Sequence, residues 1–371
     1  MGTDPSAVSG AKTEGCGASS KAPPYLPFGI GTHALNPTLC SPALHPVPCF
    51  TLGSWYDFMN QGSIASFQGR QHKGGANSRG KQQLVIGPWL HGRGNRTNRI
   101  AEMVYPDNAN WPQHDHMVRW FKHWLRGEDN GVEKDPTVRY YVMGAVGEDG
   151  TPGNAWRTAR DWPPSHTPTP LYLQRDGVLS WKVPTDESGS TSYKSDPFMP
   201  MQIPGVAFPG AKDARPFEKQ AEVRTFTTAP LDKPIEWTGR VRTELFLSST
   251  ARDTDVVVRV SDVYPDGKSI LIVDDPQRLR YRDGFDKEVL RAPGKVYKIV
   301  FDVGWISQVF NKGHRIRMTI ASTGAPLYEP NPQTGEPLTI EFPKNALTAT
   351  NTIHHNRKQA SRIIAPVARD R

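Results

Sequence analysis

Residues 82–92 read Gln-Gln-Leu-Val-Ile-Gly-Pro-Trp-Leu-His-Gly. Residues 82–87 form a short apolar run that reads as a buried strand, stopped by Gly87-Pro88, with His91 just past its end. Upstream, 49–54 (Cys-Phe-Thr-Leu-Gly-Ser) reads as another short buried strand, and Ser54-Trp55-Tyr56-Asp57 places an acid just past it. Between them, 61–69 predicts a short helix that Gly62 and Gly69 weaken. Downstream, Met117, Trp120, Phe121, Trp124 and Leu125 fall on one stripe, with Arg119, Lys122, His123 and Arg126 opposite and Gly127 as the C-terminal cap. This predicts a helix over 113–126. Strand–helix–strand–helix over 49–127 is the order of an α/β sheet.

After about residue 136 the pattern changes to short β-branched runs between turns. Val138–Met143 is one, and Leu171–Leu173 runs into the turn signal Arg-Asp-Gly. Val241–Leu247 alternates; Val256–Val263 is mostly apolar; Tyr297, Ile299, Phe301 and Val303 share a face. Ile316, Met318 and Ile320 alternate with Arg315, Arg317 and Thr319. Many short strands predict an all-β sandwich or jelly roll over 165–371, with no helix beyond two turns apart from one around Val303–Phe310. The boundary falls in the Pro-rich stretch 161–170. The fold class is thus α/β plus all-β, with an α/β segment over 49–160.

Residues 1–48 are different. The first fifty carry only Asp4, Lys12, Glu14 and Lys21 as charges, and show no period. A disordered or irregular leader is expected there. Cys16, Cys40 and Cys49 are the only cysteines, and their spacings match no usual zinc pattern. No metal or cofactor is expected. Three cysteines suit either redox compartment, and no signal peptide or lipidation motif marks a location.

The whole chain of 371 residues has 33 Gly and 34 Pro, which favours short elements, and 10 Trp, 14 Phe and 11 Tyr, enough for large cores. No apolar run of membrane-spanning length exists, so no membrane partner is expected. The net charge is +8, but Arg240, Arg242, Arg252 and Arg259 are dispersed among acids, with no block of like charge. That argues against nucleic acid as a partner.

Asp57 and His91 stand on successive strand ends, 34 residues apart, where open α/β sheets build their sites. They match the last two members of a Ser…Asp…His order. In that chemistry the His takes the proton of a nucleophilic hydroxyl and the Asp orients the imidazole. On spacing alone, a helix-capping Asp and a loop His remain an alternative. Gln113-His114-Asp115-His116 reads as a polar first turn, because two histidines two apart cannot share a helix face. His354-His355 reads as an exposed pair or sheet contact. Asp253–Asp255 and Asp262–Asp266 read as turn acids, since no calcium-loop pattern fits.

Gly53-Ser54-Trp55-Tyr56-Asp57 and Ile86-Gly87-Pro88-Trp89-Leu90-His91-Gly92 resemble the acid and histidine motifs of the X-prolyl dipeptidyl-peptidase/cocaine esterase family of α/β-hydrolases. The helix ending Trp120-Phe121-Lys122-His123-Trp124-Leu125-Arg126-Gly127 resembles the one that follows the histidine there. Tyr193–Pro197, Gly313-His314-Arg315-Ile316-Arg317, Ala325–Pro332 and the tail Asn351–Pro366 resemble that family's C-terminal jelly-roll domain. The resemblance covers about 49–371. It implies that Asp57 and His91 are the acid and base of a serine hydrolase (peptidase, esterase or acylase) acting on a small-molecule ester, an amide or a short peptide.

The family's serine elbow has no counterpart. No Gly-x-Ser-x-Gly occurs; Gly17-Ala18-Ser19 is the nearest fragment, with no strand before it. A βαβ unit takes about 30 residues or more, so the 56 residues before Asp57 are too few for several. The expectation is the back half of a hydrolase joined to an unrelated leader, as truncation, a frame shift or a partial duplication would produce. The alternatives to an enzyme are a non-catalytic jelly-roll binding module and an inactive gene fragment. Half an α/β sheet would expose a strand edge, which favours self-association; the oligomeric state is otherwise left open.

Overall fold

The computed structural model describes residues 47–92, 97–203, 210–337 and 342–369. The expectations for the leader, with Cys16, Cys40 and the Gly17-Ala18-Ser19 fragment, fall outside the described residues except at 47 and 48.

The chain begins as β1 (Phe50–Tyr56), α1 (Asn60–Lys73) and β2 (Gln83–Leu90). A two-stranded ribbon, β3 (Arg99–Ile100) with β4 (Met103–Val104), precedes α2 (Gln113–Arg126), β5 (Val138–Val142) and β6 (Ala155–Ala159). One sheet runs β1-β2-β5-β6, with the first three strands parallel and β6 antiparallel to β5. Seven of the eight β2 residues are buried, which is why this strand reads as an unbroken apolar run rather than an alternation. Helix α1 outruns the 61–69 expectation. Ile64 and Phe67, one turn apart and fully buried, anchor it despite Gly62 and Gly69.

Helix α2 and its Gly127 cap stand where expected, Gly127 taking the left-handed conformation at φ 70° and donating to the His123 carbonyl at 2.9 Å. Its apolar stripe is only partly used. Trp120 is buried against Phe50, while Phe121 and Leu125 are 51% and 78% exposed. The helix meets the edge strand β1 through Trp120 and His116, both packed on Phe50.

The second part contains β7 (His166–Leu173), β8 (Leu179–Ser180), β9 (Ser190–Ser195), the one-turn α3 (Arg215–Glu218) and β10 (Arg224–Thr227). Then follow β11 (Ile235–Ser249), β12 (Asp255–Val263), β13 (Ser269–Arg278), β14 (Tyr297–Phe310), β15 (Arg315–Ala321), β16 (Ala349–His354) and β17 (Arg362–Ala368). One sheet runs β8-β7-β17-β11-β16-β9, with β14 also paired along β11; the other runs β10-β15-β12-β13. Every strand pair in both is antiparallel.

The helix expected around Val303–Phe310 is a strand. Those eight residues are all buried within β14 and paired with β11. A strand covered on both faces loses the alternation that marks strands, so its apolar run mimics a buried helix. Gly304, at φ 140°, sits opposite a register shift, where an added Cβ would come within 2.7 Å of Val273.

A single buried cluster spans all of this. It joins Trp55, Ile86 and Tyr140 of the parallel sheet to Val258 and Met318 of one antiparallel sheet and Val241, Leu245 and Ile363 of the other. Trp162 links the parts directly, its ring 5.6 Å from Trp55 and 5.9 Å from Trp305. Backbone bonds cross the seam too: Met143 N–H to the Ser307 carbonyl at 2.9 Å and Val309 N–H to the Met143 carbonyl at 2.8 Å.

Candidate active site

Asp57 and His91 are the first residues beyond β1 and β2, and these two strands are parallel neighbours. From Phe50↔Gln83 to Ser54↔Gly87 the partners are 33 residues apart, but Tyr56 pairs with Leu90. One extra β2 residue is accommodated across Pro88-Trp89. Pro88 has no N–H to give the ladder, so the irregularity costs little there. Trp89 is fully buried and donates its indole N–H to the Ala109 carbonyl at 3.1 Å. Gly87 is required beneath it, since an added Cβ would meet the Trp89 ring at 2.4 Å.

The shift brings the two side chains together. His91 Nδ1 lies 3.0 Å from Asp57 Oδ1 and 3.1 Å from Oδ2. The Asp57 carboxylate is also held from its own turn, Oδ1 accepting the Met59 N–H at 2.8 Å, while its carbonyl accepts the Asn60 N–H at 3.0 Å. The Phe58 ring stacks on the imidazole with centroids 4.6 Å apart. The Asp57 side chain is mostly covered at 15% exposure, whereas His91 is 44% exposed. An anchored carboxylate against one nitrogen of a half-exposed ring is an arrangement suited to moving a proton at the other nitrogen.

The Tyr56 and Tyr105 hydroxyls meet at 3.2 Å, and burial pushes both well above the usual phenol range.

Three other histidines, His116, His354 and His355, take structural places. His116 Nε2 lies 2.9 Å from Gln83 Oε1, with its ring packed against Phe50 and Trp111. Burial, with Arg119 and Arg139 nearby, pushes it down to about 4. His354 contacts the Ser248 hydroxyl and His355 the Thr191 hydroxyl, each at 2.9 Å, and burial lowers both. They are sheet contacts.

The acids expected in turns need correction. Asp266 does cap a turn through the Lys268 N–H at 2.8 Å. Asp253, Asp255 and Asp262, by contrast, are buried and partnered by Arg280 at 2.6 Å, Arg278 at 2.9 Å and His314 at 2.8 Å. Their partners stand far along the chain, so nothing local announces the pairing. The trio of Asp262, His314 and Glu148 is the cluster that sequence reasoning missed as a unit, although His314 lies within the quoted Gly313–Arg317 motif.

Residues 130–364 match the family model of the X-Pro dipeptidyl-peptidase C-terminal non-catalytic domain. The cocaine esterase of Rhodococcus sp. (strain MB1 Bresler) is 32% identical over 339 residues, covering 86% of this chain and 56% of that protein. Among solved structures, an aminopeptidase from a marine sediment Thaumarchaeota archaeon superposes with a TM-score of 0.76 at 27% identity, covering 91% of this chain and 57% of that one. An α-amino acid ester hydrolase superposes with a TM-score of 0.75 at 26% identity, covering 90% and 57%. The fold and the matched relatives define a hydrolase family. The chain belongs to the X-prolyl dipeptidyl-peptidase/cocaine esterase family. It spans about half the length of the curated relatives it matches.

Proposed function

We propose that Asp57 and His91 are the acid and base of a serine-hydrolase triad whose substrate is an ester, an amide or a short peptide. The observation that supports this reading is the contact of His91 Nδ1 with both Asp57 oxygens at 3.0 and 3.1 Å, built on adjacent parallel strand ends. With Asp57 accepting from Nδ1–H, Nε2 is the basic nitrogen. It takes the proton of a serine hydroxyl as the oxygen attacks the carbonyl, then returns it to the departing alcohol or amine. Water repeats the cycle to release the acid.

The 371 residues contain no Gly-x-Ser-x-Gly elbow. On this reading these residues supply neither the nucleophile nor the oxyanion donor that follows it on such an elbow. Loss of a triad member elsewhere leaves about 10³–10⁴-fold over water, drawn largely from the oxyanion hole. We expect this chain alone to sit below that, near background. A second reading has its own support: the model matched by residues 130–364 describes a non-catalytic domain. On that reading the antiparallel sheets serve as a jelly-roll binding module.

Purified chain and His91→Ala, assayed side by side on p-nitrophenyl esters and X-Pro anilides and treated with a fluorophosphonate probe, test the first reading. Matching background rates and no labelling fit an acid–base pair without its nucleophile. Saturable turnover or labelling lost in His91→Ala would show a nucleophile that the sequence pattern does not reveal.

A further inference from the structure

Glu148 lies in the loop between β5 and β6, on the parallel-sheet side of the seam. His314 lies in the turn between β14 and β15, and Asp262 lies on β12. The imidazole is fully buried, with Nδ1 2.8 Å from Asp262 Oδ1 and Nε2 2.8 Å from Glu148 Oε1. Both nitrogens of one buried ring thus face carboxylates from opposite sides of the seam.

The surroundings are otherwise uncharged or phenolic. The Tyr264 ring packs 4.5 Å from the imidazole, and its hydroxyl accepts the Val146 N–H at 3.1 Å, in the same loop as Glu148. Asn311 Nδ2 donates to Glu148 Oε2 at 2.7 Å, and Gln308 Nε2 lies 3.4 Å from Asp262 Oδ2. Tyr56 and Tyr105, on the parallel-sheet side, are near enough for the Asp262 charge to help raise them. No described Lys or Arg pairs with either carboxylate.

A proton count follows. Ionised carboxylates only accept, and a neutral imidazole donates once. Two hydrogen bonds between the ring and ionised carboxylates therefore need one more proton than the neutral imidazole holds, and Asp262, whose carboxyl burial raises, can share it. We propose that Glu148, His314 and Asp262 form a proton-operated clamp between the two parts of the molecule, closed while the extra proton is held and released at the Glu148 arm when it is lost. The Glu148 arm opens because its side chain is 32% exposed and can be rehydrated, whereas Asp262 is 1% exposed and retains the remaining N–H. The loop so freed is the one whose Asn154 carbonyl accepts Asn108 Nδ2 at 2.8 Å; the neighbouring Ala109 carbonyl holds Trp89, two residues before His91.

Burial disfavours the imidazolium, but hydrogen bonds and charge from Asp262 and Glu148 outweigh it and hold His314 above its ordinary value of 6.5. A raised folded value means that the stabilisation is fully present below the unfolded value, near pH 6.5, and is lost as pH rises through the folded value. The clamp is therefore closed in mild acid and opens toward alkaline pH, whether or not the Asp57–His91 reading holds.

Imidazole NMR of the full chain from pH 5.5 to 9.5 tests this, with the His314 signal assigned by its loss in His314→Gln. The expected midpoint lies above 6.5, and Glu148→Gln should lower its proton affinity about tenfold, one pH unit. Amide exchange in the wild type, corrected for its intrinsic pH dependence, should show Val146 losing protection about tenfold across the same transition while Val258 of β12 keeps its own. A midpoint at or below 6.5, or Val146 protection that is flat across the titration, would overturn the clamp. So would a midpoint that Glu148→Gln leaves in place.

Discussion

Tyr56 and Leu90 are register partners, one residue out of step with the ladder that begins at Phe50 and Gln83. Everything about the candidate site depends on that step. In the undisturbed register Asp57 would stand beside Leu90, and His91 would fall one position beyond it. The irregularity at Pro88-Trp89 makes the offset equal the 34-residue spacing between acid and histidine. It is held in place by Trp89, whose indole packs over Gly87 and reaches the Ala109 carbonyl.

Gly87→Ala should therefore destabilise the chain, by about 1–3 kcal/mol, because the new methyl overlaps a buried indole that has nowhere to move. Trp89→Phe keeps most of the volume but strands the buried Ala109 carbonyl, at a cost of about 1–3 kcal/mol. Urea unfolding midpoints measure both. A neutral Gly87→Ala would mean that the Trp89 ring is not seated over the strand.

Asp57 has two roles that substitution can separate. Asp57→Asn keeps an oxygen to accept the Met59 N–H, so thermal stability should stay close to wild type. Asp57→Ala removes that acceptor at the entry to α1 and should cost about 0.5–2 kcal/mol, as the loss of a helix-entry side-chain acceptor does. Equal melting temperatures for the two variants would show that the turn does not rely on the carboxylate.

The pair of Asp253 and Arg280 is dry, with the two side chains 0% and 1% exposed. Asp253 also receives the Arg280 backbone N–H at 2.9 Å and Asn331 Nδ2 at 3.0 Å. Asp253→Ala leaves a buried guanidinium without its nearest counter-charge, and about 3–5 kcal/mol should be lost. Chemical denaturation with circular dichroism reads this directly. A loss under about 1 kcal/mol would mean that water or Glu288 replaces the carboxylate.

His116 gives the chain an acid-sensitive point. Its folded value, about 4, lies below the unfolded value of 6.5, because burial and two nearby arginines oppose its charge. The unfolded chain then takes up protons that the folded chain refuses. Stability should be intact above pH 6.5 and fall between 6.5 and 4, by up to about 3 kcal/mol. His116→Gln should flatten that segment of the stability–pH curve, and an unchanged slope would assign the acid sensitivity elsewhere.

Much of the first part was readable locally. Strand β2 showed itself as Leu84-Val85-Ile86, but it runs on to Leu90 through the Gly87-Pro88 expected to stop it, because the irregularity there absorbs the proline; α2 showed itself by its stripe and its Gly127 cap. The order of acid and histidine after successive strands was visible too, because a residue's place just past a strand end depends only on where that strand stops. What failed locally failed for stated reasons. Val303–Phe310 looked helical because burial on both faces erases the period of 2. Asp253, Asp255 and Asp262 looked like turn acids because an acid's burial is set by partners at Arg280, Arg278 and His314.

The sequence by itself marked β1, α1, β2, α2 and β5 in the first part, the places of Asp57 and His91 past successive strands, and the family resemblance that the match over 130–364 bears out. Only the tertiary structure decided that β1 and β2 are neighbours, that the extra residue falls at Pro88-Trp89, and that His314 meets carboxylates from both sides of the seam. Periodicity and turn chemistry act over a few residues and leave local traces. Register, irregularities in it and charge burial are settled by groups 23 to 166 positions apart, whose energies exist only once the sheets have packed.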